Sequence, residues 1–295
     1  MLWLSTKQDL KLYIQQMRQQ GKSIGLVPTM GYLHEGHERL IQKARVQNDA
    51  VVLSIFVNPT QFGPQEDFSK YPRDLQRDRQ IAENNGVDIV FQPDVEEMYP
   101  HPLEVTVNPG RMESVLCGRS RPGHFRGVLT VVSKLFHLVQ PDRAYFGQKD
   151  GQQLALIQKM VEDLDFPVHI VSVETVREPD GLAKSSRNVY LTEEERRLAP
   201  EIYRALAWAK AHWQEPLYFE SPERLVDAVK KKLSTVPLFR IDYVELVTFP
   251  DLLPVSVFRP DETYMLAAAI YLGKARLIDN VVFGAHTLSH ASSVY

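Results

Sequence analysis

Apolar residues along the chain gather into short, often β-branched runs at residues 23–27, 50–57, 88–91, 143–146 and 168–173. Longer amphipathic stretches separate them, 38–48, 75–85 and 154–163 among them. Runs with so few polar interruptions suit a parallel sheet, because the helices that cross over between its strands bury both faces. The alternation predicts βαβ units and, over residues 1–174, a Rossmann-like doubly wound α/β domain. Past Val173 the texture changes. Arg177-Glu178-Pro179-Asp180-Gly181 has turn chemistry, and Thr192-Glu193-Glu194-Glu195 reads as a helix start with acid in its first turn. Helices over 193–213 and 221–233 and strands over 241–247, 263–271 and 276–283 predict a smaller C-terminal α+β domain, residues 175–284. The polar residues 285–295 read as a flexible tail.

Composition narrows the function. At 295 residues the chain is long enough for two cores. Its 34 Lys+Arg against 37 Asp+Glu leave a net charge of -3, without the basic excess that a nucleic-acid partner asks for. The longest apolar stretch, residues 265–272, is far short of the ~18 residues of a membrane span. One cysteine, Cys117, excludes an internal disulfide and a cysteine-based zinc site, which fits a cytoplasmic protein.

The strongest local signal is Val27-Pro28-Thr29-Met30-Gly31-Tyr32-Leu33-His34-Glu35-Gly36-His37, between the first predicted strand and helix. A strand end there faces the crevice of an open sheet, and the following helix offers unpaired N–H groups to a phosphate. Gly31 and Gly36 have P-loop spacing, yet His37-Glu38 stands where Lys-Ser/Thr belongs, and no G-x-G-x-x-G follows the strand. Cationic work therefore falls to the histidines. His34 and His37 are one helical turn apart, so both rings can serve one ligand and stabilise charge on a transferring phosphoryl or nucleotidyl group. They do not form the H-E-x-x-H zinc motif.

These residues resemble the His-Ile-Gly-His-type signature of the nucleotidyltransferase superfamily, in the form of the pantoate–β-alanine ligase family. Further blocks match that family in order: Phe56-Val57-Asn58-Pro59-Thr60-Gln61-Phe62-Gly63, Tyr71-Pro72-Arg73, Arg121-Pro122-Gly123-His124-Phe125-Arg126-Gly127-Val128, Phe146-Gly147-Gln148-Lys149-Asp150 and Ser185-Ser186-Arg187-Asn188. The resemblance implies that ATP and pantoate form pantoyl adenylate, which β-alanine then attacks to give pantothenate and AMP. A relative that leaves the nucleotide on its product is the alternative within the superfamily.

By the same resemblance, residues 30–37 bind ATP, with His37, His34 and Lys149 as catalytic residues. Gly147, Gln148, Lys149 and Asp150 form a second ATP loop, with Lys149 on phosphate and Asp150 on ribose or Mg²⁺. Lys184, Ser185, Ser186 and Arg187 lie on the pyrophosphate, and Val176 meets adenine through its backbone. Gln61 contacts pantoate and also the β-alanine position, Gln153 is a second pantoate contact, Asp78 is a Mg²⁺ ligand, and the assembly is a homodimer. Lys184 departs from the usual Met or Leu, Gln148 from a common glutamate, and Arg77 from an acid beside Asp78. Trp208 and Trp213 read as packing residues, Lys230, Lys231 and Lys232 as a solvated face, and Cys117 as a bystander.

Overall fold

The computed structural model describes residues 1–63, 66 and 68–285, which divide into two compact units. The first comprises residues 1–113, 121–148 and 156–176. Its centre is a six-stranded sheet of β1 (Leu2–Leu4), β2 (Ile24–Thr29), β3 (Ala50–Ile55), β4 (Ile89–Phe91), β5 (Arg143–Gly147) and β6 (His169–Val173). All its pairings are parallel. Every residue of β3 is buried, as a strand covered on both faces must be. The helices are α1 (Lys7–Gln19), α2 (Glu35–Gln47), α3 (Leu75–Asn84), the short α4 (Val95–Met98) and α6 (His124–Val139). Between α4 and α6, α5 (Leu116–Ser120) belongs to the other unit, and α7 (Gly151–Asp163) runs across the division.

Strand order is β1-β4-β3-β2-β5-β6. The chain winds outward from β2 through β3 to β4, then returns to lay β5 on the other side of β2. The carboxyl ends of β2 and β5 thus flank the switch point, where open α/β sheets bind ligands. Three elements escape the hydrophobic pattern for different reasons. β1 has three residues, too few to show alternation. α1 buries only Leu10 and Ile14. Past Phe125, α6 confines its exposed and half-buried residues to a narrow stripe of Arg126, Ser133, Lys134 and His137, and the unbroken buried run 127–132 masks that period in sequence.

The second unit comprises residues 114–120, 149–155 and 177 onward. It holds an antiparallel sheet of β7 (Phe239–Thr248), β8 (Thr263–Leu272) and β9 (Ala275–Gly284), in that order. Its helices are α8 (Glu193–Leu198), α9 (Glu201–His212), α10 (Pro216–Phe219) and α11 (Pro222–Ser234). The helix expected over 193–213 is therefore two helices, broken at Ala199-Pro200, where proline supplies no N–H to the ladder. Leu246, Leu266, Ala268, Leu277 and Val281 form one sheet face with Leu206 of α9 and Leu225 and Val229 of α11. Trp213 packs among Phe258, Tyr264 and Phe283 of this core. Trp208 lies under the Lys232 ammonium, 4.2 Å from its ring centre.

The division differs from a single cut after residue 174, because residues 114–120 and 149–155 cover the opposite face of this sheet. Leu116 N and the Arg119 guanidinium bond Glu245 of β7. Gly151 passes so close to β8 and β9 that a Cβ there would lie 2.5 Å from Met265 Sδ. Gln152 joins the two segments, donating to Val115 O at 2.8 Å and accepting from Gly118 N at 3.3 Å. Cys117 has partners that its sequence context conceals: its Sγ is 3.1 Å from Tyr243 Oη, beside the Arg276 guanidinium. Burial and the adjoining Cys117 push the Tyr243 hydroxyl well above the ordinary tyrosine value. No helix among the described residues is long and apolar enough to cross a membrane. Of the expected tail, residues 286–295 lie outside the described residues.

Candidate active site

The turn after β2 leaves the carboxyl end of that strand and is held by a set of local hydrogen bonds. Thr29 Oγ1 donates to Ser54 O at 2.7 Å and accepts from Gly31 N at 3.2 Å. Gly31 and Tyr32 follow with φ of 82° and 53°, two left-handed residues in succession. Such a path is costly for Tyr32, and something must hold it. Asp78 of α3 does so: its carboxylate accepts from Tyr32 N at 3.0 Å and from Leu33 N at 2.7 Å. Arg77, beside it, lies 5.3 Å from the Tyr32 ring centre.

Asp78 is 1% exposed. Burial raises its carboxyl above the ordinary value, and the Leu33 and Tyr32 N–H groups oppose that rise. A carboxylate so enclosed and so engaged does not fit the role of Mg²⁺ ligand that the resemblance gives it. The structure makes it the anchor of the 30–37 turn instead. Among the described residues no cluster of three or more His, Cys, Asp or Glu side chains could hold a metal.

His34 is the N-cap of α2, and its Nδ1 accepts from Gly36 N at 3.1 Å. His37 Nδ1 in turn accepts from His34 N at 3.3 Å, completing a capping box in which imidazoles take the usual hydroxyl and carboxyl places. A ring nitrogen that accepts from an N–H carries no proton, so these contacts assign the neutral Nε2–H tautomer to both rings. The ring centroids are 4.0 Å apart. Two imidazole N–H donors thus stand together at the positive end of α2.

Gln61 lies in a 3-10 turn, Pro59–Gln61, and is 9% exposed. Its Oε1 accepts from Asn58 Nδ2 at 3.0 Å, which fixes the amide, and its Nε2 lies 3.3 Å from Met30 Sδ. The structure therefore brings Gln61 to the 30–37 turn. Asn58, which the sequence reading does not assign, is 1% exposed and also bonds Tyr99 Oη at 2.8 Å and Gly127 O at 3.2 Å. Nothing in a single sequence marks a buried asparagine as such. Below this turn, His124 Nδ1 is 2.8 Å from Gln61 O, and Arg121 grips both Glu66 oxygens at 2.6 Å. Burial would raise the Glu66 carboxyl, but Arg121 outweighs it and holds the group below the ordinary value.

Gly147 closes β5 and Gln148 opens the 3-10 turn after it, both in the first unit, and Val176, half-buried, ends that unit. The remaining candidates belong to the second unit. Lys149 Nζ is 3.6 Å from Asp150 Oδ1, and Asn280 Nδ2 donates to Lys149 O at 2.9 Å. Gln153 is half-buried in the first turn of α7. Residues 177–183 form a hairpin, with Arg177 bridged to Ala183. Beyond it, Ser185 caps a 3-10 turn, Ser186–Tyr190, by accepting from Arg187 N at 3.3 Å, while Asn188 Nδ2 donates to Ala183 O at 3.0 Å. Lys184 Nζ pairs with Glu178 Oε1 at 2.8 Å.

With this geometry in view, comparison with known proteins is decisive. The model of the pantoate–β-alanine ligase family matches residues 3–282. The chain belongs to that family. The pantothenate synthetase of Geobacillus sp. (strain WCH70) is 54% identical over 274 residues, covering 93% of this chain and 96% of the relative. That of Thermotoga neapolitana is 52% identical over 287 residues, covering 95% and 99%. Among solved structures, the pantothenate synthetase of Thermus thermophilus superposes with a TM-score of 0.87 at 47% identity, over 95% of this chain and 99% of that one. The pantoate–β-alanine ligase of Francisella tularensis, crystallised with β,γ ATP and β-alanine, has a TM-score of 0.78 at 35% identity, over 96% and 97%. Membership of the family covers both units of this chain, and with it the fold expected from sequence.

Proposed function

We infer that the chain is an AMP-forming, ATP-dependent carbon–nitrogen ligase that condenses (R)-pantoate with β-alanine to pantothenate. The pantoate carboxylate attacks the α-phosphorus of ATP and expels pyrophosphate. The β-alanine amine then attacks the acyl carbon of pantoyl adenylate, AMP leaves, and the amine proton passes to solvent. Family membership from residue 3 to 282 supports this reading. The observation that carries it in the site is the pair of adjacent imidazoles at the start of α2, each accepting a backbone N–H at Nδ1. A nucleotidyltransferase of the same superfamily that leaves the nucleotide on its product is not favoured by a family match over residues 3–282.

His34 and His37, with Nδ1 occupied by backbone N–H groups, serve as neutral donors to phosphate oxygens. Their contribution is stabilisation of charge as it builds, not proton transfer. Residues 30–37 hold ATP, and Asp78 keeps their backbone in place. Gln61, its Oε1 taken by Asn58, presents its NH₂ end to the carboxylate or a hydroxyl of pantoate, with Gln153 as a second contact. Lys149 supplies a full positive charge to the phosphates, beside Gly147, Gln148 and Asp150. Lys184, Ser185, Ser186 and Arg187 complete the phosphate contacts, and Val176 meets adenine. Mg²⁺ binds largely through substrate phosphates, so ATP can bring it without a protein cage, and it neutralises phosphate charge when bound.

The chain acts as a cytoplasmic homodimer on small molecules, without nucleic-acid or membrane partners, and light scattering of the pure protein measures the dimer. The activity is tested by incubation with pantoate, β-alanine and ATP, each omitted in turn. AMP and pyrophosphate are expected in multiple turnover only when all three are present. A nucleotidylated end product overturns the reading.

A further inference from the structure

Arg276-Leu277-Ile278-Asp279-Asn280, in β9, places two buried polar side chains in succession, 5% and 6% exposed. Successive strand residues face opposite sides of a sheet. Asp279 shares the helix-covered face with Leu277 and Val281, and Arg177 meets it as a two-pronged pair at 2.6 and 3.0 Å. The same guanidinium donates to Gly181 O at 3.1 Å and lies 3.5 Å over the Tyr203 ring of α9. One carboxylate therefore fixes the base of the 177–183 hairpin, from which Lys184 to Arg187 continue.

Asn280 faces the other side, where its Nδ2 holds the Lys149 carbonyl at 2.9 Å. The Asn280 backbone N also donates to Asp279 Oδ1 at 2.8 Å, a further donor to that carboxylate. Gly151 closes against Asn280, since a Cβ there would lie 3.2 Å from Asn280 Nδ2. Buried polar groups of this kind are a weak choice for stability alone, whereas they define geometry sharply.

We propose that Asp279 and Asn280 are positioning residues that set the Lys149 segment and the 177–187 segment for ATP from the two faces of one strand. The proposal rests on the assignment of Lys149 and residues 184–187 to ATP made above. Neither side chain touches ATP in this scheme. Asn280 acts through the Lys149 backbone, and Asp279 acts through Arg177.

Steady-state kinetics of the full chain with ATP, pantoate and β-alanine test it, using Asn280→Ala, Asp279→Asn, Lys149→Ala and the Lys149→Ala/Asn280→Ala double variant. The single Asn280 and Asp279 variants are expected to raise KM for ATP about tenfold, with KM for pantoate changed less than about twofold. The double variant is expected to be no slower than Lys149→Ala, because Asn280 then has no ammonium left to place. Should Asn280→Ala not fold, Asn280→Ser, neutral and too short to reach the carbonyl, is read in the same way. Unchanged KM for ATP, equal rises for ATP and pantoate, or losses that multiply in the double variant overturn the proposal. The two readings separate cleanly: full activity in Lys149→Ala refutes the ATP assignment and the positioning built on it. A crippled Lys149→Ala beside an unaffected Asn280→Ala refutes the positioning alone.

Discussion

The two histidines at the start of α2 each accept a backbone N–H at Nδ1, so their removal touches the cap as well as the proposed chemistry. His37→Ala should slow adenylate formation by about 10²–10³, the scale of losing one preorganised donor to a developing anion. Loss of the cap alone costs about 1 kcal/mol, so thermal unfolding should shift little while pyrophosphate release nearly stops. A rate within a few-fold of wild type would remove His37 from the chemistry. Asp78 is tested at the same scale. In Asp78→Asn an NH₂ group must face Tyr32 N or Leu33 N, which costs about 1–3 kcal/mol and loosens the turn. KM for ATP should rise, while the Mg²⁺ concentration giving half-maximal rate should stay the same. A raised Mg²⁺ requirement would restore Asp78 as a metal ligand.

Among elements, the contact between α6 and the 59–61 turn governs where Gln61 stands. Gly127 lies so near that a Cβ would sit 2.4 Å from Thr60 O and 2.7 Å from Gln61 N, both backbone atoms that cannot swing aside. Gly127→Ala should destabilise the protein by about 1–3 kcal/mol through overpacking, and should raise KM for pantoate more than KM for ATP. Kinetics with each substrate varied in turn measure the difference. The Glu66–Arg121 pair lies just below this turn and gives it a pH dependence. Because the folded protein holds Glu66 below its ordinary value of 4.5, the pair stabilises the fold above that pH and ceases to do so as pH falls through the lowered value. The difference in unfolding temperature between wild type and Glu66→Gln should therefore be constant above about pH 4.5 and close below it. A gap that persists at lower pH would show that the charge is not what holds the pair.

At the scale of the whole molecule, the net charge of -3 is no guide to ligands that are themselves anionic, because the cations are placed locally. It does bear on long polyanions: no retention on immobilised tRNA is expected at physiological salt, and retention would contradict the small-molecule reading. The order of strands and helices was legible because each repeats a pattern of burial along a short stretch of chain, as in the apolar runs of β2, β3 and β5. The 30–37 turn was legible for a related reason, since its strand, glycines and histidines are contiguous. Neither the tasks of Asp78 and Asn58, nor the grip of Asn280 on Lys149, could be read this way. Each joins residues 3 to 131 positions apart through a side chain that burial alone makes consequential. Sequence by itself thus determined the fold class and the family and singled out the 30–37 motif, through local periodicity and contiguous chemistry. Tertiary structure decided which carboxylate anchors and which nitrogen donates, and drew residues 114–120 and 149–155 into the second unit, because those depend on what the fold buries against what.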